Sequence, residues 1–183
     1  MGITYLQSGK LFYPAARRQL TSSADQTSRM HAPTSVDSHS LWAEIARPQI
    51  HGYDMTDAAF ISPYRFASTG DEKVTRVFDA PGGFVESLQA LGVSTSTQDT
   101  SSRPKGATVP PLGLSNRALG KAAEVSDVPV PHVANPAVDS ISKAFTALPT
   151  EEELSTTTLW PEVEKVYGHG YEVSFRSQAH TEL

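Results

Sequence analysis

Hydrophobic positions along this chain come in short runs, not in long periodic stretches. Residues 11–13 (LFY), 41–50 (LWAEIARPQI), 58–66 (AAFISPYRF) and 74–79 (VTRVFD) are β-branched or aromatic in character and bounded by Pro, Gly, Asp or Ser. Runs of this length between turn residues predict an antiparallel all-β architecture. Within 74–79, Val74, Arg76 and Phe78 alternate imperfectly with Thr75, Val77 and Asp79, as in a strand covered on both faces. No helix is predicted before residue 80, and residues 41–90 are expected to be the best-ordered region.

The pattern changes near residue 93. STSTQDTSS (94–102) holds seven Ser or Thr in nine positions, and prolines 129, 131, 136 and 149 punctuate the stretch that follows. Proline fixes φ and removes a donor, and too few apolar groups remain to offset ordering entropy. Extended or disordered chain is therefore expected at 93–105 and 120–157, with a candidate strand at 109–119. TEEEL (150–154) carries the Thr150–Glu153 capping-box spacing, although an exposed loop is the favoured reading. Apolar character returns over 159–173.

Two internal matches point to repetition. HGYDM (51–55) and HGYEV (169–173) share His, Gly and Tyr, then an acid before an apolar residue. SSADQTSRMHA (22–32) resembles STGDEKVTRVFDA (68–80), which sets Asp25 and Asp71 46 positions apart. A period near 40–45 residues with an Asp turn and an aromatic-ending strand reads as propeller blades. Asp71 is expected in a tight turn, accepting from backbone amides. His51, Ser68 and Phe78 are expected behind it as a buried network, with His169 in the corresponding place of the second copy; such a network is rigid only when every member is satisfied.

Composition narrows the chemistry. The 183 residues include no cysteine, which excludes disulfides, a cysteine nucleophile and thiolate zinc sites. Fifteen basic against twenty acidic side chains give a formal charge of −5, so autonomous nucleic-acid clamping is disfavoured. Arg65, Lys73 and Arg76, with Tyr64 and Phe78 nearby, are candidate weak phosphate contacts; a solvated strand face is the favoured alternative. The six histidines (31, 39, 51, 132, 169, 180) form no i, i+4 pair and no HExxH. No G-x-S-x-G elbow is present, and APGGF (80–84) lacks the lysine of a phosphate loop. No catalytic residue, cofactor or metal is expected, and the chain is not read as an enzyme. It contains no 18-residue apolar run, so no membrane span is expected.

Five blocks occur in an order that resembles the Elongator complex subunit 2 family of WD-repeat proteins. They are SADQTSRMHA (23–32), ARPQIHGYDM (46–55), GDEKVTRVFDAPGGFVESL (70–88), GATVPPLGLSNRAL (106–119) and TLWPEVEKVYGHGYEV (158–173). The resemblance implies an incomplete WD-repeat β-propeller fragment, with pieces of two propellers and long loop or disordered segments. Residues 1–92 would be partial blades from the end of a first propeller, and 93–157 mostly loop or linker. Residues 158–173 would open a second propeller. The tail 174–183 departs from the family, whose chains are longer on both sides, so the resemblance implies an internal fragment or truncated product unable to close a propeller. It further implies a non-catalytic scaffold subunit, cytoplasmic and nuclear, supporting tRNA wobble-uridine modification. Its partners would be the largest Elongator scaffold subunit and the catalytic acetyltransferase subunit, with tRNA touched only indirectly. A WD-repeat interaction module of another pathway, or a product without independent function, are the alternatives.

Overall fold

Strand β2 (Arg18–Ser22) turns into β3 (Thr27–Val36) through a tight corner built around Asp25. The Asp25 carboxylate accepts from the Thr27 amide (3.1 Å) and hydroxyl (2.7 Å), and Gln26 takes a left-handed φ of 67° to close the turn. Along β3, Met30, Ala32 and Thr34 are buried while Arg29, His31 and Pro33 are half-buried, the two-residue period of a strand with one covered face. Strand β4 (His39–Ile50) pairs antiparallel with β3, and β1 (Gly2–Leu6) pairs with β2 on the other side. These four strands form one sheet in the order β1-β2-β3-β4. The computed structural model describes residues 2–6, 18–36, 39–93, 100–108, 116–119 and 144–171.

A second sheet repeats this plan. Strands β5 (Met55–Ser62), β6 (Arg65–Gly70) and β7 (Thr75–Asp79) meander antiparallel, so the run read as 58–66 spans a hairpin turn at Pro63–Tyr64. The β6–β7 turn at Asp71 corresponds to the β2–β3 turn at Asp25, as the sequence repeat requires. The β4–β5 link runs across that earlier corner: the His51 amide donates to Gln26 O (2.8 Å) and the Met55 amide to Ser23 O (3.3 Å). Strand β5 lies against β1 and β2, which sets the two sheets side by side. Two adjacent four-stranded antiparallel sheets of this kind are the blades of an incomplete WD-repeat propeller.

The fourth strand of the second sheet comes from far along the chain. Strand β10 (Glu162–Val166) pairs antiparallel with β7, giving the order β10-β7-β6-β5. Residues 158–173 were expected to begin a second propeller, but Glu162–Val166 completes the sheet of β5–β7. The cause is Trp160, fully buried and 5.3 Å from the Phe66 ring, which anchors the segment to this core.

Residues 80–161 therefore lie between the third and fourth strands of one sheet. They contain helix α1 (Gly82–Ala90), the short hairpin of β8 (Gly106–Thr108) with β9 (Arg117–Leu119), and helix α2 (Glu151–Thr156). Within the described part of 93–157, only β8, β9 and α2 are regular elements, and the rest of those residues are turn or loop. In α1, Phe84, Val85 and Leu88 point inward at helical spacing, and Phe84 sits 5.1 Å from the Trp160 ring. The chain leaves α1 through Gly92 at φ 70°, the left-handed exit that glycine adopts without a Cβ penalty. Helix α2 carries the complete capping box: Thr150 Oγ1 accepts from the Glu153 amide (3.3 Å), and Glu153 accepts from the Thr150 amide (2.7 Å). The helix thus prevails over the loop reading. The expected strand at 11–13, most of 109–119, the segment 120–143 and the tail 174–183 lie outside the described residues.

Candidate functional site

The polar chemistry of the second sheet is concentrated where the β4–β5 link meets the β6–β7 turn. Gly70 is required there, because a Cβ would stand 3.0 Å from Asp54 O, and the Asp71 amide donates to that same carbonyl (2.9 Å). His51 is buried beside them. Its Nε2 donates to Glu72 Oε1 (2.9 Å) while its Nδ1 accepts from the Tyr53 amide (2.9 Å), an arrangement met by the neutral Nε2–H tautomer. Burial and the nearby Arg76 charge hold the imidazole below its ordinary 6.5, outweighing Glu72.

Glu72 is the hub. Its carboxylate accepts from His51 and, through two oxygens, from Arg76 Nε (2.6 Å) and Nη2 (2.9 Å). Burial pushes Glu72 upward, but Arg76 and His51 together hold it below the usual carboxylate range. Arg76 reaches onward to Glu162 on β10 (2.7 Å), and the two carboxylates overcome its burial to raise its pKa. One chain of charge-assisted bonds therefore runs from the β4–β5 link to the outer strand β10.

The residues singled out from sequence divide accordingly. His51 lies in the network, but its acidic partner is Glu72, one residue beyond the expected Asp71, which is exposed. Asp71 is tied into the turn through its backbone, its amide donating to the Asp54 carbonyl. Ser68 is buried with its hydroxyl unpartnered, and sits opposite Arg76 in the β6–β7 ladder. Phe78 stacks on Phe66 at 4.9 Å, and so belongs to the apolar core and not to the polar chain. His169 is exposed between Gly168 and Gly170, away from this network. Among the candidate phosphate contacts, Arg65 is held by Asp79 through Nε (2.5 Å) and Nη2 (2.8 Å), and Arg76 by its two glutamates. Lys73 alone of the three is exposed with no ion pair among the described residues.

Sequence reasoning missed a second junction. Asn116 is buried, and its Nδ2 donates to Pro48 O (2.6 Å) and Trp160 O (2.8 Å), while its carbonyl accepts from the Glu162 amide (3.0 Å). Trp160 N donates to Pro48 O (2.9 Å), and Arg47 N donates to the Thr158 hydroxyl (2.8 Å). The Arg47 side chain bonds Glu151 (2.8 Å) and Glu44 (3.1 Å), and these bonds, led by Glu151, raise its pKa despite burial. The signal was present as SNRAL (115–119) and TLW (158–160), but their meeting depends on contacts between residues far apart in the chain. Among the described residues no group of three His, Cys, Asp or Glu is placed to hold a metal, and no helix is long and apolar enough to cross a membrane. The arrangement binds strands to one another.

No family model matches the chain. Among curated proteins it is 44% identical over 165 residues to Elongator complex protein 2 of Drosophila melanogaster, covering 84% of this chain. It is 45% identical over 168 residues to the protein of that name in Homo sapiens, again over 84% of the chain, and 40% over 170 residues to that of Saccharomyces cerevisiae, over 88%. The chain spans about a fifth of the length of these relatives, 20%, 20% and 21% respectively.

Proposed function

We propose that this chain, a homologue of Elongator complex protein 2 over about a fifth of that protein's length, is a non-catalytic scaffold element of an Elongator assembly. The observation that carries the reading is the 40–45% identity to these three relatives across most of the chain. The geometry supports it, since the buried polar side chains of the second sheet are spent on joining strands. Rigid blades present edges and loop rims to partners, and the function of a propeller resides in those surfaces. The partners would be the largest Elongator subunit and the catalytic acetyltransferase subunit. The process served would be tRNA wobble-uridine modification, in cytoplasm and nucleus, with tRNA contacted indirectly.

The test is replacement within the whole subunit. Residues 18–171 are set in place of the matching stretch of a relative's Elongator complex protein 2, and the assembly is recovered from cells. Recovery of the other subunits together with retained wobble-uridine modification is the expected result. A chimera that folds and is expressed but neither assembles nor sustains modification would remove the reading. Acetyl transfer by the purified chain would remove its non-catalytic part.

A further inference from the structure

At the end of β6 away from His51, two guanidiniums share one aromatic ring. Arg18, the first residue of β2, is 1% exposed and lies 5.2 Å from the centroid of Tyr64 and 5.8 Å from that of Phe60. Its Nη2 donates to Pro63 O at 2.5 Å, but Nε and Nη1 are buried with no partner. Arg103, in the loop before β8, stands 4.8 Å from the same Tyr64 ring. Its Nη1 donates to Ala80 O (3.3 Å), and its Nε is also buried without a partner. Among the described residues neither guanidinium has a carboxylate, although Arg29, Arg47, Arg65 and Arg76 each have at least one.

A buried cation with unmet donors is a costly arrangement, and the stacking on Tyr64 and Phe60 offsets only part of that cost. Burial lowers the Arg18 guanidinium to about 10. A water molecule would satisfy donors but leave two positive charges facing one ring. An oxyanion would satisfy the donors through charge-assisted bonds and remove the repulsion as well. We propose that Arg18 and Arg103, set on Tyr64, form a binding site for one small oxyanion group, a carboxylate or a phosphate. The proposal is independent of the Elongator reading, since it rests on three orphaned nitrogens and not on the relatives.

The test is thermal unfolding of the full chain in sodium phosphate, sodium acetate and sodium chloride at equal ionic strength. A saturable rise in Tm with phosphate or acetate, absent with chloride, is expected. Phosphate alone identifies a phosphate ligand, and acetate alone a carboxylate. Arg103→Gln, in a half-buried loop position, should keep the far-UV spectrum and lose at least half of the shift. Arg65→Gln, exposed and paired with Asp79, should keep it. No rise beyond chloride, or an undiminished rise in Arg103→Gln, overturns the site.

Discussion

The Nε2–H of His51 donates to the Glu72 carboxylate at 2.9 Å and so joins the β4–β5 link to the β6–β7 turn. The Tyr53 amide in turn donates to Nδ1, a bond available only while that nitrogen carries no proton. A proton at Nδ1 would set two donors against each other. Because the folded pKa lies below 6.5, the unfolded chain binds the proton more readily. This contribution to stability is therefore fully present above 6.5 and is lost as pH falls below it. Urea midpoints should decline between about pH 7.5 and pH 5. His31, also lowered mainly by burial, adds to the slope, so the His51 share is read by difference. His51→Gln, which keeps a donor toward Glu72, should flatten the profile. An equally steep profile in that variant would show that His51 does not titrate as described.

Two neighbouring acids should behave oppositely on removal. Glu72→Gln leaves Arg76 with one carboxylate and weakens the His51 bond, and should cost about 1.5–3 kcal/mol, the range for hydrogen bonds to charged groups. Asp71→Ala removes an exposed side chain and should change stability by less than about 0.5 kcal/mol. Chemical denaturation of both variants decides the matter, and a larger loss at Asp71 would reverse the assignment.

That one-residue difference shows where reading the chain stops. Strands β4 and β7 were readable because their apolar runs end at turn residues, and the match between Asp25 and Asp71 located both turns. Which acid faces inward depends on the Asp54 carbonyl and on Gly70, neither of which a motif records. Helix α1 was passed over because Gly82 and Gly83 open it, although Phe84, Val85, Leu88 and Leu91 keep helical spacing before Gly92. Strand β10 was placed with the segment that follows it because its pairing with β7 crosses 84 positions, from Phe78 to Glu162. Local patterns do not encode a partner at that distance.

Helix α2 has only six residues, too few to persist through propensity alone, so its cap should matter more than its sequence. Thr150→Ala removes one half of the capping box and should cost about 1 kcal/mol. Glu151 on this helix bonds Arg47, so fraying should also loosen β4 at Arg47. Hydrogen exchange should speed at the Leu154 and Thr157 amides, which bond within the helix and its cap, and at the Arg47 amide, which bonds Thr158. Faster exchange confined to the helix would mean that α2 does not support β4.

Trp160 should be the most sensitive single position in the described core. It is fully buried, tilted against Phe66 at 5.3 Å and Phe84 at 5.1 Å, and so joins the second sheet to helix α1. Trp160→Ala should cost about 3–5 kcal/mol through lost burial and the cavity left behind. Its indole Nε1, however, is buried without a partner, so the ring's polar atom contributes nothing favourable. Trp160→Phe removes that donor and keeps an aromatic ring between Phe66 and Phe84, and should therefore cost clearly less than the alanine change. The loss should also spread outward. The Trp160 amide and carbonyl bond Pro48 and Asn116, and the Asn116 carbonyl holds the Glu162 amide at the start of β10. Amide exchange in Glu162–Val166 should accelerate in Trp160→Ala well before the β5–β6 hairpin opens. Uniform acceleration across both sheets would mean that β10 and its blade unfold as one unit, and that Trp160 does not hold this strand locally.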